Sequence, residues 1–206
     1  MKVNKPKVAI LNYNIGNLSS IKNALLSLDI SADIIYNAED VNKFDRLILP
    51  GVGAFGSAIE HLNKSGMSEA IIEATKNGKY ILGICLGMQL LFDKSFEFGI
   101  HKGLGLISGE VIRFDNNLKI PHIGWNAIEI IQSSPILEGL NSGDFLYFVH
   151  SFYVKPNIRD NILAVCDYGD EFSAMVCKDN IFGIQPHPEK SSKLGLMILK
   201  NFVELR

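Results

Sequence analysis

Gly83-Ile84-Cys85-Leu86-Gly87 sets a cysteine between two glycines, after the apolar run Tyr80–Ile84 and before a helical pattern. That is the context of a nucleophile elbow, a strand-to-helix turn that lifts its central side chain out of the sheet. The turn is strained and closely packed, and flanking glycines supply the room it needs. A helix starting just after Cys85 would favour a thiolate and offer backbone N–H groups to a developing oxyanion. The plain alternative is a buried cysteine acting as a small hydrophobe. That reading fits Cys166 and Cys177, which lie in apolar strand patterns without glycine neighbours and are expected in the core.

A nucleophilic cysteine usually works with a base that a third group orients. Of the five histidines, His61 and His101 stand among polar residues and read as surface. Gln185-Pro186-His187-Pro188-Glu189 is different. Each proline disfavours the α conformation in the residue before it, so Gln185 and His187 should be extended. Residues two apart in an extended chain share a side, so the Glu189 carboxylate can fix the tautomer of His187. A structural turn is the plain reading of this segment, and His122 and His150 are the alternative bases. Gly51-Val52-Gly53-Ala54-Phe55-Gly56 also matches a dinucleotide-binding fingerprint between strand and helix. It does not follow the first strand, however, and the next strand ends at Cys85 where an acidic ribose ligand would be needed. A glycine-rich loop beside Cys85 can instead supply oxyanion donors.

The elements that must carry these residues alternate in the first half. Val8–Leu11, residues 34–36, residues 47–49 and Tyr80–Ile84 read as strands, the first a continuous apolar run suited to burial on both faces. Helical spacing recurs at Ile21, Ala24, Leu25 and Leu28 behind a candidate N-cap at Asn17, and again over residues 58–62, 67–77 and 88–92. Gly78 is placed to end one of these helices. From about Gly105 the rhythm becomes that of strands, at residues 111–114, 127–131, 145–149, 162–165, 174–177 and 181–185. A helix over residues 193–205 closes the chain. The expected fold is α/β, a mostly parallel sheet between helices with added antiparallel strands in the second half. No linker-like stretch divides residues 1–206, so a single domain is expected.

Composition excludes several classes of function. The 206 residues carry 20 basic and 22 acidic side chains, interspersed, which argues against a general nucleic-acid or membrane-surface binder. The amino-terminal segment lacks the apolar core of a secretory signal, and the longest apolar run is broken by glycines. Three cysteines close no disulfide framework and match no zinc spacing, so neither metal nor cofactor is expected. A reducing cytoplasm is the expected compartment.

Residues 83–91 together with His187-Pro188-Glu189 resemble the class I, triad-type, glutamine amidotransferases. Further matches narrow the resemblance to the glutaminase subunits of imidazole glycerol phosphate synthases, in histidine biosynthesis. They are Gly16-Asn17-Leu18, Pro50-Gly51-Val52-Gly53, Gly103-Leu104-Gly105-Leu106-Ile107, Pro121-His122-Ile123-Gly124-Trp125-Asn126, Tyr147-Phe148-Val149-His150-Ser151 and residues 187–191, in order over nearly the whole length. The resemblance implies a flavodoxin-like fold and a triad of Cys85, His187 and Glu189, with Gly53 and Leu86 N–H groups as oxyanion donors. It also implies that Gln89 and Glu97, helped by backbone at Ser151 and Phe152, hold the amino-acid end of glutamine. Its partner would be a (β/α)₈-barrel cyclase in a heterodimer, met near Asn17, Trp125, Asn126, Tyr147 and Lys190 and supplied with ammonia through a sheltered channel. Asn12, Asn14, Phe152 and Pro186 depart from the usual pattern without removing a catalytic group. They leave room for a paralogue that feeds ammonia to a cyclase-like partner amidating a surface sugar; a non-catalytic scaffold ranks below both.

Overall fold

Strands buried on both faces need apolar residues throughout, and the first half of the chain supplies three such runs and a fourth, at the sheet edge, interrupted by the exposed Asp33. In the computed structural model, which describes residues 5–13, 17–115 and 117–205, these become β1 (Val8–Leu11), β2 (Ala32–Ile35), β3 (Arg46–Leu49) and β4 (Tyr80–Ile84). Gly16 of the Gly16-Asn17-Leu18 match, Asn14 and the first four residues lie outside the described residues. Helices α1 (Leu18–Leu26), α2 (Phe55–Lys64), α3 (Met67–Lys76) and the five-residue α4 (Leu86–Leu90) connect or follow them. Asn17 occupies the position before α1 but its side chain makes no capping bond. Gly78 does end α3: at φ +80° its N–H bonds the Thr75 carbonyl while Lys79 N–H reaches Ala74, a Schellman closure.

The second half contributes β5 (Phe92–Ser95), β6 (His101–Lys102), β7 (Ile107–Arg113), β8 (His122–Ala127), β9 (Glu129–Ile130), β10 (Phe145–His150), β11 (Phe152–Pro156), β12 (Ile162–Asp167), β13 (Glu171–Lys178) and β14 (Ile181–Ile184), then α5 (Ser192–Glu204). The main sheet has the order β2-β1-β3-β4-β14-β13-β12-β9. Its pairs from β2 to β14 are parallel and those from β14 to β9 antiparallel. One face packs on α1 and α5 through Ile21, Leu25, Ile198 and Phe202; the other packs on α2 and α3 through Phe55, Leu62 and Ile71. Among the described residues no helix is long and apolar enough to cross a membrane.

Three expectations need correction: the first helix ends at Leu26, so Leu28 lies beyond it and not on its stripe. The helical reading of residues 88–92 ends too late: Phe92 opens β5, where it pairs with Ile107 and is fully buried. The pattern at residues 127–131 is not one strand, because β8 pairs with β10 in a separate ribbon whereas β9 joins the main sheet beside β12. The short strands β5, β6 and β11 carry no alternation clear enough to announce them. With β7 they form a four-stranded sheet, β11-β7-β5-β6.

Gly87 faces the end of β3 so closely that a Cβ there would overlap the Leu49 carbonyl oxygen, whereas a Cβ at Gly78 would meet open space. Gly78→Ala should therefore cost about 1 kcal/mol, the left-handed backbone penalty alone. Gly87→Ala should cost about 3 kcal/mol through backbone overpacking. Urea unfolding of the two variants measures the difference, and equal midpoints would contradict this account of the elbow.

Candidate active site

Cys85 follows β4 with φ +55° and ψ −113°, a conformation costly for any residue with a Cβ. The strain is held in place by its surroundings. Its N–H donates to the Ile184 carbonyl of the neighbouring strand at 2.8 Å, and a Cβ at Gly83 would lie 2.6 Å from the Gly87 oxygen. The thiol is nearly buried and reaches a cavity of about 340 Å³. Helix α4 beyond it is little more than one turn, so its dipole is weaker than a full helix would supply.

The base arrives from β14. Its pairing with β4 is parallel and in register, Gly183 opposite Gly83 and Ile184 opposite Ile84. The chain leaving β14 therefore runs beside the elbow and brings His187 to the cavity that Cys85 also lines. As expected before proline, His187 is extended, at φ −92° and ψ 102°. Its Nδ1 lies 2.9 Å from Glu189 Oε1, so this nitrogen carries the hydrogen and Nε2 is left for the thiol. The loop is pinned by His187 N–H to the Tyr147 carbonyl (2.8 Å), Ser191 Oγ to the His187 carbonyl (2.6 Å) and Tyr147 N–H to Ser191 Oγ (3.0 Å). Burial works against charge on the ring, but hydrogen bonds to Cys85 and Glu189 and their charges outweigh it, raising His187 to about 10. Cys85, His187 and Glu189 thus stand together, with the imidazole bound to the carboxylate and sharing the cavity with the thiol.

The remaining sequence-chosen residues divide in two. Gly53, Leu86, Gln89, Glu97, Ser151 and Phe152 line the same cavity as Cys85 and His187. Gly53 sits at φ +92° in the turn before α2, and Glu97 Oε2 accepts from Phe55 N–H at 2.6 Å, so this carboxylate caps α2 from β5's far end. Trp125 and Tyr147 form a second cluster, meeting edge to face at 5.9 Å, and Lys190 joins the two: its Nζ lies 5.8 Å from the Tyr147 ring and it also lines the cavity. Trp125 is half exposed. Asn126, one step along β8, points the other way and donates to the Asp167 carbonyl at 2.8 Å. Asn17 is exposed at the start of α1, which packs against the Pro188–Lys190 turn. His61 is exposed and Cys166 buried, but His101 and Cys177 are each only partly exposed. Two of the three fingerprint glycines face protein, a Cβ at Gly51 coming within 2.8 Å of the Tyr13 hydroxyl and one at Gly56 within 2.6 Å of the His101 ring, and only Gly53 is open, on the cavity of Cys85.

Several residues at the site escaped sequence reasoning. Gln185, fully buried, donates Nε2 to Cys85 Sγ at 3.5 Å; its alternation with His187 was the available signal. Tyr13 lies under the glycine turn and donates to the Pro50 carbonyl at 2.6 Å, with burial and the Cys85 charge pushing its phenol above its ordinary value. His122 and His150, which the sequence did offer as alternative bases, are buried together, Nδ1 to Nε2 at 3.1 Å. Burial lowers His122 to about 4 and His150 to about 3, and their ring nitrogens are engaged with each other, the Phe152 carbonyl and the Asn126 amide.

A sharply turned cysteine beside an oriented imidazole, at the carboxyl end of a parallel sheet, is the arrangement found in cysteine-dependent hydrolases and transferases. The model of the "Glutamine amidotransferase class-I" family matches residues 9–205, and the chain belongs to that family. It is 52% identical to an imidazole glycerol phosphate synthase subunit HisH from Wolinella succinogenes, over 96% of this chain and 99% of the relative. Relatives of the same description from Caldanaerobacter subterraneus (49%, covering 96% and 98%) and Methanocaldococcus jannaschii (46%, covering 96% and 99%) are similar throughout. Among solved structures, PurLQS from Thermotoga maritima shares the fold at a TM-score of 0.78 and 19% identity, covering 97% of this chain and 98% of that one.

The three buried histidines make stability pH-dependent with opposite signs. Unfolded histidines take up protons near pH 6.5, but His122 and His150 resist until about 4 and about 3. Their contribution is complete above pH 6.5 and is lost as pH falls toward 4, by up to about 1.4 kcal/mol per pH unit for each ring. His187, raised to about 10, contributes fully below 6.5 and loses its part only as pH climbs, so it adds no acid slope. Urea midpoints followed from pH 7 to about pH 4.5 should drop less steeply in His122→Phe than in the unsubstituted chain. Identical slopes would mean that the pair is not held neutral.

Proposed function

We propose that the chain is the glutaminase subunit of an imidazole glycerol phosphate synthase, a single domain that hydrolyses glutamine to glutamate and delivers the ammonia to a cyclase subunit. The observation that carries this reading is the Cys85–His187–Glu189 grouping in a chain about half identical, end to end, to subunits of that name. Cys85 attacks the side-chain amide carbon of glutamine, and Gly53 and Leu86 N–H groups receive the negative oxygen of the tetrahedral adduct. His187 gives a proton to the departing nitrogen, so that ammonia leaves and a glutamyl thioester remains on Cys85. The ring, now neutral, takes a proton from water, which attacks the thioester; collapse of the second adduct frees glutamate and the thiol. Glu189 keeps the ring in one tautomer throughout. Glu97 and Gln89 offer acceptors to the substrate's ammonium, and backbone at Ser151 and Phe152 serves the other end.

The partner reading rests on the β8–β10 ribbon. Ile123, Trp125 and Phe145 are exposed on its outer face, next to Tyr147 and Lys190, and the inner face is packed. An exposed apolar face of this kind, rimmed by polar groups, favours a protein partner. The cyclase, a (β/α)₈ barrel, would dock there in a heterodimer and supply the ribonucleotide-derived ammonia acceptor.

The test is glutamate release by the purified chain with its cyclase partner. Cys85→Ala should abolish glutamine-dependent turnover while leaving turnover on added ammonia, and retained glutamine use would exclude Cys85 as the nucleophile. His187→Ala should lose roughly 10²–10⁴-fold or more, since both acid–base transfer and thiol activation fail. Trp125→Ala should weaken the heterodimer by about tenfold or more in Kd, as loss of a buried aromatic anchor does. An unchanged Kd by calorimetry would place the docking face elsewhere.

A further inference from the structure

The inner face of the β8–β10 ribbon carries two buried histidines that the reaction steps above do not use. His122 and His150 stand directly opposite each other in the antiparallel register. His122 is stacked between Phe148 and Tyr168, at 5.0 and 4.0 Å, and Phe172 and Phe114 close around His150 at 5.0 and 5.2 Å. His150 also borders the glutamine cavity.

Hydrogen-bond chemistry leaves this pair a single arrangement. His150 Nδ1 lies 2.9 Å from the Phe152 carbonyl, which can only accept, so Nδ1 carries the hydrogen. In a neutral ring Nε2 is then an acceptor, and His122 Nδ1, at 3.1 Å, must donate to it. His122 Nε2 is left as an acceptor facing the Asn126 amide nitrogen at 3.4 Å, itself anchored on the Asp167 carbonyl. The chain runs from the docking ribbon to one carbonyl oxygen. That oxygen takes a second donor, Gln89 Nε2, at 2.9 Å. The other hydrogen of the same amide goes to Gln185 Oε1 at 3.1 Å, and Gln185 Nε2 returns to Cys85 Sγ at 3.5 Å. Both Gln89 hydrogens are thus committed, and its Oε1 is the part of the side chain left to accept from the substrate's ammonium.

We infer that His150, backed by His122, is a positioning residue for glutamine. It fixes the Phe152 carbonyl, which fixes the Gln89 amide with its oxygen toward the cavity. Because His150 and Tyr147 belong to one strand, the element that seats Gln89 is also the element proposed to meet the partner. Protonation of either imidazole would set two N–H groups against each other, and their burial keeps both rings neutral at physiological pH. His187, whose charge bears on His150, and the phenol of Tyr168, stacked on His122, are the titratable groups of other elements that face the pair, with Tyr153 beyond Phe114.

The inference rests on the glutaminase reading, and one experiment separates the two. Glutamate release by the heterodimer is measured against glutamine concentration for the unsubstituted chain, His150→Phe and His150→Asn, with the rate of Cys85 alkylation by iodoacetamide in the absence of glutamine. His150→Phe should raise KM for glutamine by about tenfold, with kcat changed by less than about threefold and alkylation unaltered, because one hydrogen bond positioning Gln89 is lost. His150→Asn places an amide N–H where Nδ1–H stood and should return KM to within about threefold of the unsubstituted value. An unchanged KM in His150→Phe overturns the inference. So does a loss in both variants accompanied by altered alkylation, which would mark a general structural role. An unsubstituted chain that releases no glutamate with its partner overturns the glutaminase reading, and this inference with it.

Discussion

The parallel, in-register pairing of β4 with β14 is the constraint on which the site depends. It sets the Cys85 N–H on the Ile184 carbonyl and so fixes how far the chain beyond β14 must travel before His187 meets the thiol. Register matters because side chains alternate: a slip of one residue would turn His187 and Glu189 to the opposite side. The pairing is protected by burial, since every residue of β14 and all but Tyr80 of β4 are buried. Opposed Gly83 and Gly183 add a steric lock. A Cβ at either would fall within 2.7 Å of Met88 atoms, so α4 rests directly on the bare backbone of both strands. The elbow and the strand that delivers its base are therefore packed as one unit.

Around that unit, one residue type is driven to opposite electrostatic ends. His187, buried with a carboxylate and a thiol, is raised; His150 and His122, buried with a carbonyl, an amide and aromatic rings, are lowered. Desolvation acts on all three, and the presence of an anionic partner decides the sign. The result is a raised imidazole beside Cys85 and two lowered rings behind it.

The β8–β10 ribbon links the site to the surface. Its inner positions, His122, Phe148 and His150, belong to the buried aromatic cluster, while Ile123, Trp125 and Phe145 alternate outward. The backbone at Tyr147 holds the His187 loop directly through its carbonyl. Anything that seats on the outer face presses on an element whose inner face borders the glutamine cavity.

The sequence by itself determined the local chemistry. Glycines around Cys85 announced a strained elbow, alternating prolines made His187 and Glu189 share a side, and continuous apolar runs marked the parallel strands, because each of these follows from near-neighbour sterics and periodicity. The membership of the cavity was legible only through resemblance to a family. What the tertiary structure alone decided was every relation across long separations: the β4–β14 register, the split of residues 127–131 between two sheets, Phe92 turning from helix to strand, and the burial that separates His150 from His187. These depend on which strand pairs with which and on what desolvates each ring. Such facts belong to contacts between distant segments, and no local pattern of residues encodes them.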